Sequence, residues 1–266
     1  MKKNSCFILI CALALLFGNT ELSAQPKKQY TDQELLKMFK GLRVADVSDG
    51  MDIVGLKDVG LLGTEITALW KDIDNFSHMF VGIAMTVRYV PTNRSTTSAS
   101  LKEYKNWRDQ WYTHISGEPF IDSIKPGNVI VIDNAGDKDA GSVGSNNSMI
   151  WKAKGAIAIV SAGGIRDTDE IIKQKIPVYM NVEKRGRGIR PGRNELESVN
   201  KPVVIGGALI RPGDVIVADG DGVIVVPRER APEVAEAAQE ELRLDKAARK
   251  RLYKQLGMPS DRTVED

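Results

Sequence analysis

The centre of the chain consists of short apolar segments that end at turn residues, and this pattern constrains the fold more than any other feature. Residues 81–89 alternate apolar with small or polar side chains, whereas 156–160 and 223–226 are continuous apolar runs of strand length. Segments with helical patterns flank them, at 101–116 and at 230–254. This order predicts an α/β fold, layered, with a mixed sheet rather than a regular doubly wound one.

Two of the apolar segments repeat each other. Residues 125–133 (KPGNVIVID) and 211–219 (RPGDVIVAD) each place a Pro-Gly turn before an apolar run that ends in aspartate. We interpret them as two copies of a common turn–strand unit and not as a duplicated domain.

The N-terminus has the composition of a secretory signal peptide. Lys2 and Lys3 precede an apolar run at 6–18, and a small residue, Ala24, precedes a polar segment. The run is shorter than the roughly 20 apolar residues that span a bilayer. We therefore expect a signal peptide at 1–24, a single domain at 25–266, a periplasmic or secreted protein, and no stable membrane anchor after cleavage.

Composition narrows the chemistry that the mature protein can perform. Both cysteines, Cys6 and Cys11, lie in the expected signal peptide, so disulfides, cysteine nucleophiles and Cys-ligated zinc are excluded. His78 and His114 are the only histidines, too few for a three-histidine metal site within one chain. A metal ion would be held mainly by oxygen, which favours Mg²⁺, Mn²⁺ or Ca²⁺. The formal net charge of +2 gives no indication of a nucleic-acid partner.

One candidate site follows the apolar run 156–160, in the stretch SAGGIRDTDEI at 161–171. Gly163 and Gly164 allow a sharp turn and the close approach of a ligand. Arg166 and Asp167 then fall on a strand-to-helix loop, at the sheet edge where α/β proteins usually bind ligands. Arginine can bind a carboxylate through two hydrogen bonds, and aspartate can hold a hard divalent cation. Asp167 alternatively resembles a helix cap, and Arg166 a surface residue.

A second polar loop follows the strand predicted at 125–133. Residues 133–148 (DNAGDKDAGSVGSNNS) contain three glycines, three aspartates and three asparagines before a predicted helix. Such a loop can direct several backbone N–H groups at an anion, although a flexible polar loop is the simpler interpretation. Together the two loops offer amide donors, an arginine and a carboxylate, a combination that suits a small oxo acid chelating a metal.

Residues 144–167 (GSNNSMIWKAKGAIAIVSAGGIRD) resemble the signature of the RraA-like family, which includes class II 4-hydroxy-4-methyl-2-oxoglutarate aldolases and regulators of ribonuclease E activity. Gly144, Gly155, Gly163, Arg166 and Asp167 fall at the family's spacings. Similarity extends to 42–49, 81–87 and 202–227, of which the last is the most specific.

The resemblance implies a compact α/β/β-type sandwich assembled as homotrimers or homohexamers. It implies that Arg166 is catalytic, binding the substrate and stabilising an enolate, and that Asp167 holds Mg²⁺ or Mn²⁺. The substrate carboxylate and keto group would be bound by the backbone of Gly144, Ser145, Asn146 and Asn147. The implied activity is a metal-dependent lyase that cleaves a C–C bond of a 2-oxo acid through a pyruvate enolate, of the 4-hydroxy-4-methyl-2-oxoglutarate aldolase or oxaloacetate decarboxylase type.

The chain departs from the resemblance at Ser145, where the family's aldolases usually have Asp or Glu. A neutral hydroxyl removes a negative charge near the cation and is expected to weaken metal binding or change the substrate. Asp137 or Asp139 could compensate. The alternative hypothesis is an exported non-catalytic protein of this family that binds a ligand or regulates a partner.

Overall fold

The structure, a computed structural model, describes residues 28–95, 100–134, 136 and 139–265. The chain divides into a short unit that ends at Tyr30 and a compact unit, Thr31–Asp266, to which the fold and cleft below belong. The expected signal peptide at 1–24 lies outside the described residues. Within those residues, no helix has both the length and the apolar character needed to cross a membrane.

Local sequence explains where several of the helices begin and end. Thr31 caps the first helix through a capping box with Glu34, as the sequence TDQE predicts. The longest helix ends at Gly257, whose φ of +66° suits glycine. The α-helices of the described residues are α1 (Asp32–Met38), α2 (Val44–Ile53), α3 (Leu101–His114), α4 (Ser145–Lys154), α5 (Thr168–Lys173) and α6 (Ala231–Leu256).

The strands of the described residues form one eight-stranded mixed sheet and one small hairpin. They are β1 (Ile66–Ala68), β2 (Phe80–Pro91), β3 (Asn128–Asp133), β4 (Ala158–Ser161), β5 (Val178–Asn181), β6 (Asn194–Val199), β7 (Val203–Ile205), β8 (Ala208–Ile210), β9 (Val215–Asp219) and β10 (Gly222–Val226). In the large sheet the order is β1-β5-β4-β3-β2-β9-β10, and β6 pairs with the second half of β2. The hairpin consists of β7 and β8.

Four neighbouring strands of the large sheet, β2 to β5, run parallel. The loops that follow β3, β4 and β5 therefore leave the sheet at the same edge. At the other side of the sheet, Leu61 forms a bridge with Ile224 of β10, so the segment that leads into β1 meets the last strand and the sheet is nearly closed.

The two faces of the sheet are covered by different layers. Val129 and Val131 of β3 share a buried cluster with Ile205 and Ile210 of the hairpin. Their neighbours Ile130 and Ile132 point to the opposite face, in a cluster with residues of α4 and α5, including Trp151 and Ile171. Helices, large sheet and small sheet thus form the three layers, which confirms the α/β/β sandwich with a mixed sheet.

The repeated Pro-Gly units have the same local structure but different places in the sheet. In each unit, the backbone N–H of the first residue donates to the side chain of the fourth. Lys125 donates to Asn128 at 2.8 Å, and Arg211 donates to Asp214 at 2.7 Å. The first strand runs parallel to β2 and the second antiparallel to it. A shared turn, placed in two different settings, agrees with a common turn–strand unit.

Candidate functional site

The loops that follow β3, β4 and β5 are joined by backbone hydrogen bonds. Val143 donates to the carbonyl of Gly164 at 3.1 Å, and Arg166 donates to the carbonyl of Val143 at 2.9 Å. Gly164 in turn donates to the carbonyl of Lys184, in the loop after β5, at 2.8 Å. These bonds place the two loops selected from the sequence side by side.

Gly164 is required by this arrangement. Its φ is +66°, and a Cβ at this position would lie 2.3 Å from Nδ2 of Asn134 and 2.7 Å from the carbonyl oxygen of Ala140. Asn134 is buried, and the same Nδ2 donates to the carbonyl of Gly163 at 2.9 Å. The Gly-Gly pair thus allows the close packing of the two loops, a role that differs from the close approach of a ligand expected from the sequence.

Asp167 occupies the N-cap position of α5, but its side chain does not cap that helix. Its φ is +56°, a left-handed conformation that costs an L-residue roughly 1–2 kcal/mol. Its Oδ2 accepts the backbone N–H of Ser145 at 3.1 Å and the Ser145 hydroxyl at 3.4 Å. The backbone therefore directs this carboxylate toward the start of α4 and away from its own helix.

Gly144 makes that contact possible. A Cβ at Gly144 would lie 2.6 Å from Oδ2 of Asp167, well inside the contact distance of the two atoms. The φ of Gly144 is −127°, a backbone conformation that any residue can adopt. Glycine is required here because Asp167 approaches so closely.

Arg166 and Asp167 form only a loose ion pair. Nε of Arg166 lies 3.8 Å from Oδ1 of Asp167, and both side chains are about one-third exposed (36% and 37%). The aliphatic part of Arg166 packs over Gly141, where a Cβ would lie 2.7 Å from its Cδ. The guanidinium is thus held in place by its stem and remains available to bind an anion.

The backbone predicted to bind the substrate, 144–147, lies at the start of α4, because this helix begins at Ser145, within the segment 133–148 that the sequence predicts as a loop. The first backbone N–H groups of a helix have no partner within the helix. The N–H of Ser145 is used by Asp167, which differs from the expectation that it binds substrate. Asn146 and Asn147 supply the next two amides of this turn.

Four of the predicted residues lie around one cleft of about 400 Å³. They are Asn146 and Asn147 in the first turn of α4, and Arg166 and Asp167 in the loop after β4. Gly144 and Ser145 are not among the lining residues: Ser145 binds the Asp167 carboxylate, and Gly144 leaves room for it. The structure thus brings the predicted residues together and divides them into a set that faces the cleft and a pair that supports it.

The cleft also contains two charged residues that the sequence analysis missed, Glu118 and Arg190. Glu118 follows α3, and Arg190 lies in the loop after β5, within the sequence RGRGIRPGR. The side chains form an ion pair and are only 9% and 5% exposed, respectively. Because β5 is parallel to β4, the loop that follows β5 leaves the sheet at the same edge. This rule points to Arg190, which lies in that loop.

Asp139, one of the two residues that could compensate for the neutral Ser145, pairs with Arg187 and does not line the cleft. Its Oδ1 lies 3.1 Å from Nε of Arg187, and the hydrogen bonds from Arg187 lower the pKa of the carboxyl group. Asp137, the other candidate, lies outside the described residues.

The fold and the cleft define a class of protein: an α/β sandwich that presents a polar, small-molecule cleft at the carboxyl edge of its parallel strands. The RraA-like family (Aldolase/RraA) matches residues 44–225, most of the chain. The chain belongs to this family, as its resemblance to the family signature indicated.

Individual relatives are distant. Protein DlpA of Legionella pneumophila is 26% identical over 220 residues, which cover 80% of this chain and 31% of that protein. A protein of Halalkalibacterium halodurans named "Putative 4-hydroxy-4-methyl-2-oxoglutarate aldolase" is 35% identical over 123 residues, 46% of this chain and 57% of that protein. The chain thus spans only 31% and 57% of the length of these two curated relatives.

Solved structures share the fold. An uncharacterized protein of Pseudomonas syringae is 28% identical, with a TM-score of 0.63 over 86% of this chain and 97% of the other. Streptomyces coelicolor RraAS2, described as an unusual member of the RNase ES inhibitor RraA protein family, has a TM-score of 0.63 at 22% identity, over 84% and 99% of the two chains. The second likeness, at this identity, concerns the fold alone.

Proposed function

We propose that the protein is a divalent-metal-dependent lyase that cleaves a C–C bond of a 2-oxo acid and forms the enolate of pyruvate. The observation that carries this proposal is the convergence of Arg166, Asp167 and the first turn of α4 on one cleft. The aldolase names of relatives such as the Halalkalibacterium halodurans protein support it.

Each of these groups suits one part of a 2-oxo acid. Arg166 can bind the carboxylate through its planar fork, and the first-turn amides of α4 can donate to the same anion. In retro-aldol cleavage, the C3–C4 bond breaks, its electrons move into the enolate, and C4 becomes a carbonyl as the hydroxyl proton passes to water. The fixed positive charge of Arg166 then stabilises the negative charge that develops on the enolate oxygen.

The cleft fits a metal ion only if water and substrate supply most of its ligands. No cluster of three or more His, Cys, Asp or Glu side chains suited to a metal exists within the described residues. Asp167 is one carboxylate, and Mg²⁺ is commonly held by one or two carboxylates together with water and substrate. Mg²⁺ or Mn²⁺ bound by Asp167 would supply Lewis-acid stabilisation of the enolate.

The test is pyruvate release from a panel of 2-oxo acids, with Mg²⁺ or Mn²⁺ and with a chelator. The panel includes 4-hydroxy-2-oxopentanoate, 4-hydroxy-4-methyl-2-oxoglutarate and oxaloacetate. We expect metal-dependent release from at least one of these acids, and a loss of at least about 100-fold in kcat/KM for Arg166→Ala and for Asp167→Ala. Activity that survives both substitutions would remove these residues from the mechanism.

The chain provides a matched control for this test. Arg108 and Asp109 are also adjacent in sequence and form an ion pair of 2.9 Å, but they lie on the exposed surface of α3, outside the cleft. Arg108→Ala and Asp109→Ala are expected to retain the activity of the wild type.

Ser145 favours a second candidate, a binding protein that keeps the cleft without the chemistry. Because Ser145 replaces the Asp or Glu that is usual in the family's aldolases, the proposed cation site has one negative charge fewer than the site of those enzymes. Binding of a 2-oxo acid without release of pyruvate from any member of the panel would favour this function over the lyase.

We also propose export through cleavage after Ala24 and assembly into homotrimers or homohexamers. The first rests on the basic and apolar N-terminal sequence, and the second on the resemblance to the family.

A further inference from the structure

The cleft contains a second cation whose charge is already compensated. Arg190 donates through one terminal nitrogen to Oε1 of Glu118 and through the other to the hydroxyl of Tyr89 at 2.7 Å. Its guanidinium carbon lies 5.3 Å from the ring centroid of Tyr89 and 5.2 Å from that of Tyr112. Arg190 is therefore held by two aromatic rings and, at its end, by a carboxylate.

The carboxylate of Glu118 is equally constrained. Oε1 also accepts Nδ2 of Asn147 at 2.5 Å, and Oε2 accepts the indole N–H of Trp151 at 3.1 Å. Both acceptors belong to a side chain that is only 9% exposed, so its negative charge faces Arg190 and the cleft rather than bulk solvent. Glu118, in the segment between α3 and β3, thus places a negative charge at a fixed position in the wall of the cleft.

Among the described residues that line the cleft, the formal charges consequently balance. Arg166 and Arg190 contribute two positive charges, and Glu118 and Asp167 contribute two negative ones. Arg166 has only a loose partner, whereas Arg190 has a close and buried one. Of these two arginines, Arg166 is therefore the one suited to bind a substrate carboxylate.

From this arrangement we propose that Glu118 determines specificity, restricting the site to 2-oxo acids whose far end is uncharged; the inference rests on the proposed function. A cleft of about 400 Å³ keeps the far end of a five-carbon acid close to its wall. A second carboxylate there would be repelled by Glu118, and displacing Glu118 from Arg190 would leave a buried carboxylate unpaired. An alkyl or hydroxyl-bearing end avoids both costs.

A matched pair of unreactive acids tests this directly. 2-Oxopentanoate and 2-oxoglutarate have the same five-carbon chain and differ in a terminal methyl or carboxylate group. Neither has the 4-hydroxyl that retro-aldol cleavage requires, so binding is measured by calorimetry, with Mg²⁺ present, without turnover. We expect the wild type to bind 2-oxopentanoate at least about tenfold more tightly.

Two variants assign the preference to Glu118. Glu118→Gln removes the anion and leaves Arg190 charged, so affinity for 2-oxoglutarate relative to 2-oxopentanoate is expected to rise at least about tenfold. The double variant Glu118→Gln with Arg190→Gln removes both charges and should lose that gain. Glu240→Gln, an exposed carboxylate of α6, should keep the wild-type ratio.

The outcomes separate this inference from the proposed function. Equal or tighter binding of 2-oxoglutarate by the wild type overturns the role of Glu118, even if the variants fail to fold, and leaves the lyase proposal standing. A ratio unchanged in folded Glu118→Gln also overturns it. Failure of both acids to bind at millimolar concentration contradicts the proposed function and this inference with it.

Discussion

At the scale of single residues, the position of Asp167 depends on what its neighbours lack. Gly144 has no Cβ, so the space beside it is open to Oδ2 of Asp167. The backbone N–H of Ser145, which has no partner within the helix, donates to that oxygen at 3.1 Å. Sequence reasoning identified Arg166 and Asp167 from their place after a strand. It could not show which amides of 144–147 would be used by the protein itself, because this depends on a contact between two loops.

Gly144→Ala should therefore damage the site without damaging the fold. The new Cβ would lie 2.6 Å from the Asp167 carboxylate and displace it, so we expect at least a tenfold loss in kcat/KM for pyruvate release. The matched control is Gly220→Ala, where a Cβ would meet nothing closer than Nζ of Lys71 at 3.7 Å. Equal activity of the two variants would show that Gly144 does not position Asp167.

Glu118→Ala is expected to destabilise the protein by about 3 kcal/mol, because it leaves the buried Arg190 without its carboxylate. The measurement is the free energy of unfolding in urea, compared with Glu240→Ala. Glu240 pairs with Arg243 on the exposed surface of α6, and its removal should leave stability nearly unchanged. Similar losses in the two variants would mean that the Glu118–Arg190 pair is not a buried structural contact.

At the scale of elements, the sequence identified the strands and helices whose apolar pattern is strong. The predicted strands 156–160 and 223–226 correspond to β4 and β10, and the helix at 230–254 to α6. β1 was missed because three residues carry no recognisable period. β6 (NELESV) has no strong apolar pattern, because it is only half-buried and carries two glutamates. Charged side chains of this kind are common in strands at the edge of a sheet. The contact of Glu118 with Arg190 joins residues 72 positions apart and leaves no local pattern.

The loop between β1 and β2 contains a buried histidine that should make stability depend on pH. His78 is 4% exposed, and its Nδ1 accepts the backbone N–H of Asp72 at 3.1 Å, which requires the unprotonated ring nitrogen. Burial, followed by the charge of Lys71, lowers the pKa of His78 below its ordinary value. The unfolded chain thus binds a proton more readily than the folded one, so stability is lost as pH falls through and below about 6.5.

His78→Gln is expected to weaken this pH dependence. We would measure the free energy of unfolding in urea at pH 7.5 and 5.5, where the wild type should lose more stability on acidification than the variant does. His114→Gln, at the exposed end of α3, is the control and should retain the wild-type difference. An unchanged difference in His78→Gln would contradict the role assigned to this histidine.

At the scale of the whole molecule, two proposals concern processing and assembly. Mass spectrometry of the protein isolated from its native host should find a mature chain beginning at Gln25, and a full-length chain would contradict cleavage after Ala24. Light scattering after size-exclusion chromatography should give three or six times the mass of that chain, and a monomer or dimer would contradict the proposed assembly.

The central claim, that Arg166, Asp167 and the first turn of α4 bind one chelating acid, is tested most directly by a crystal structure with Mn²⁺ and oxalate, a stable analogue of the pyruvate enolate. We expect an anomalous peak beside the Asp167 carboxylate and an oxalate oxygen within hydrogen-bonding distance of the Arg166 guanidinium. Oxalate bound elsewhere, or a cleft that stays free of both ion and acid at saturating concentrations, would contradict the claim.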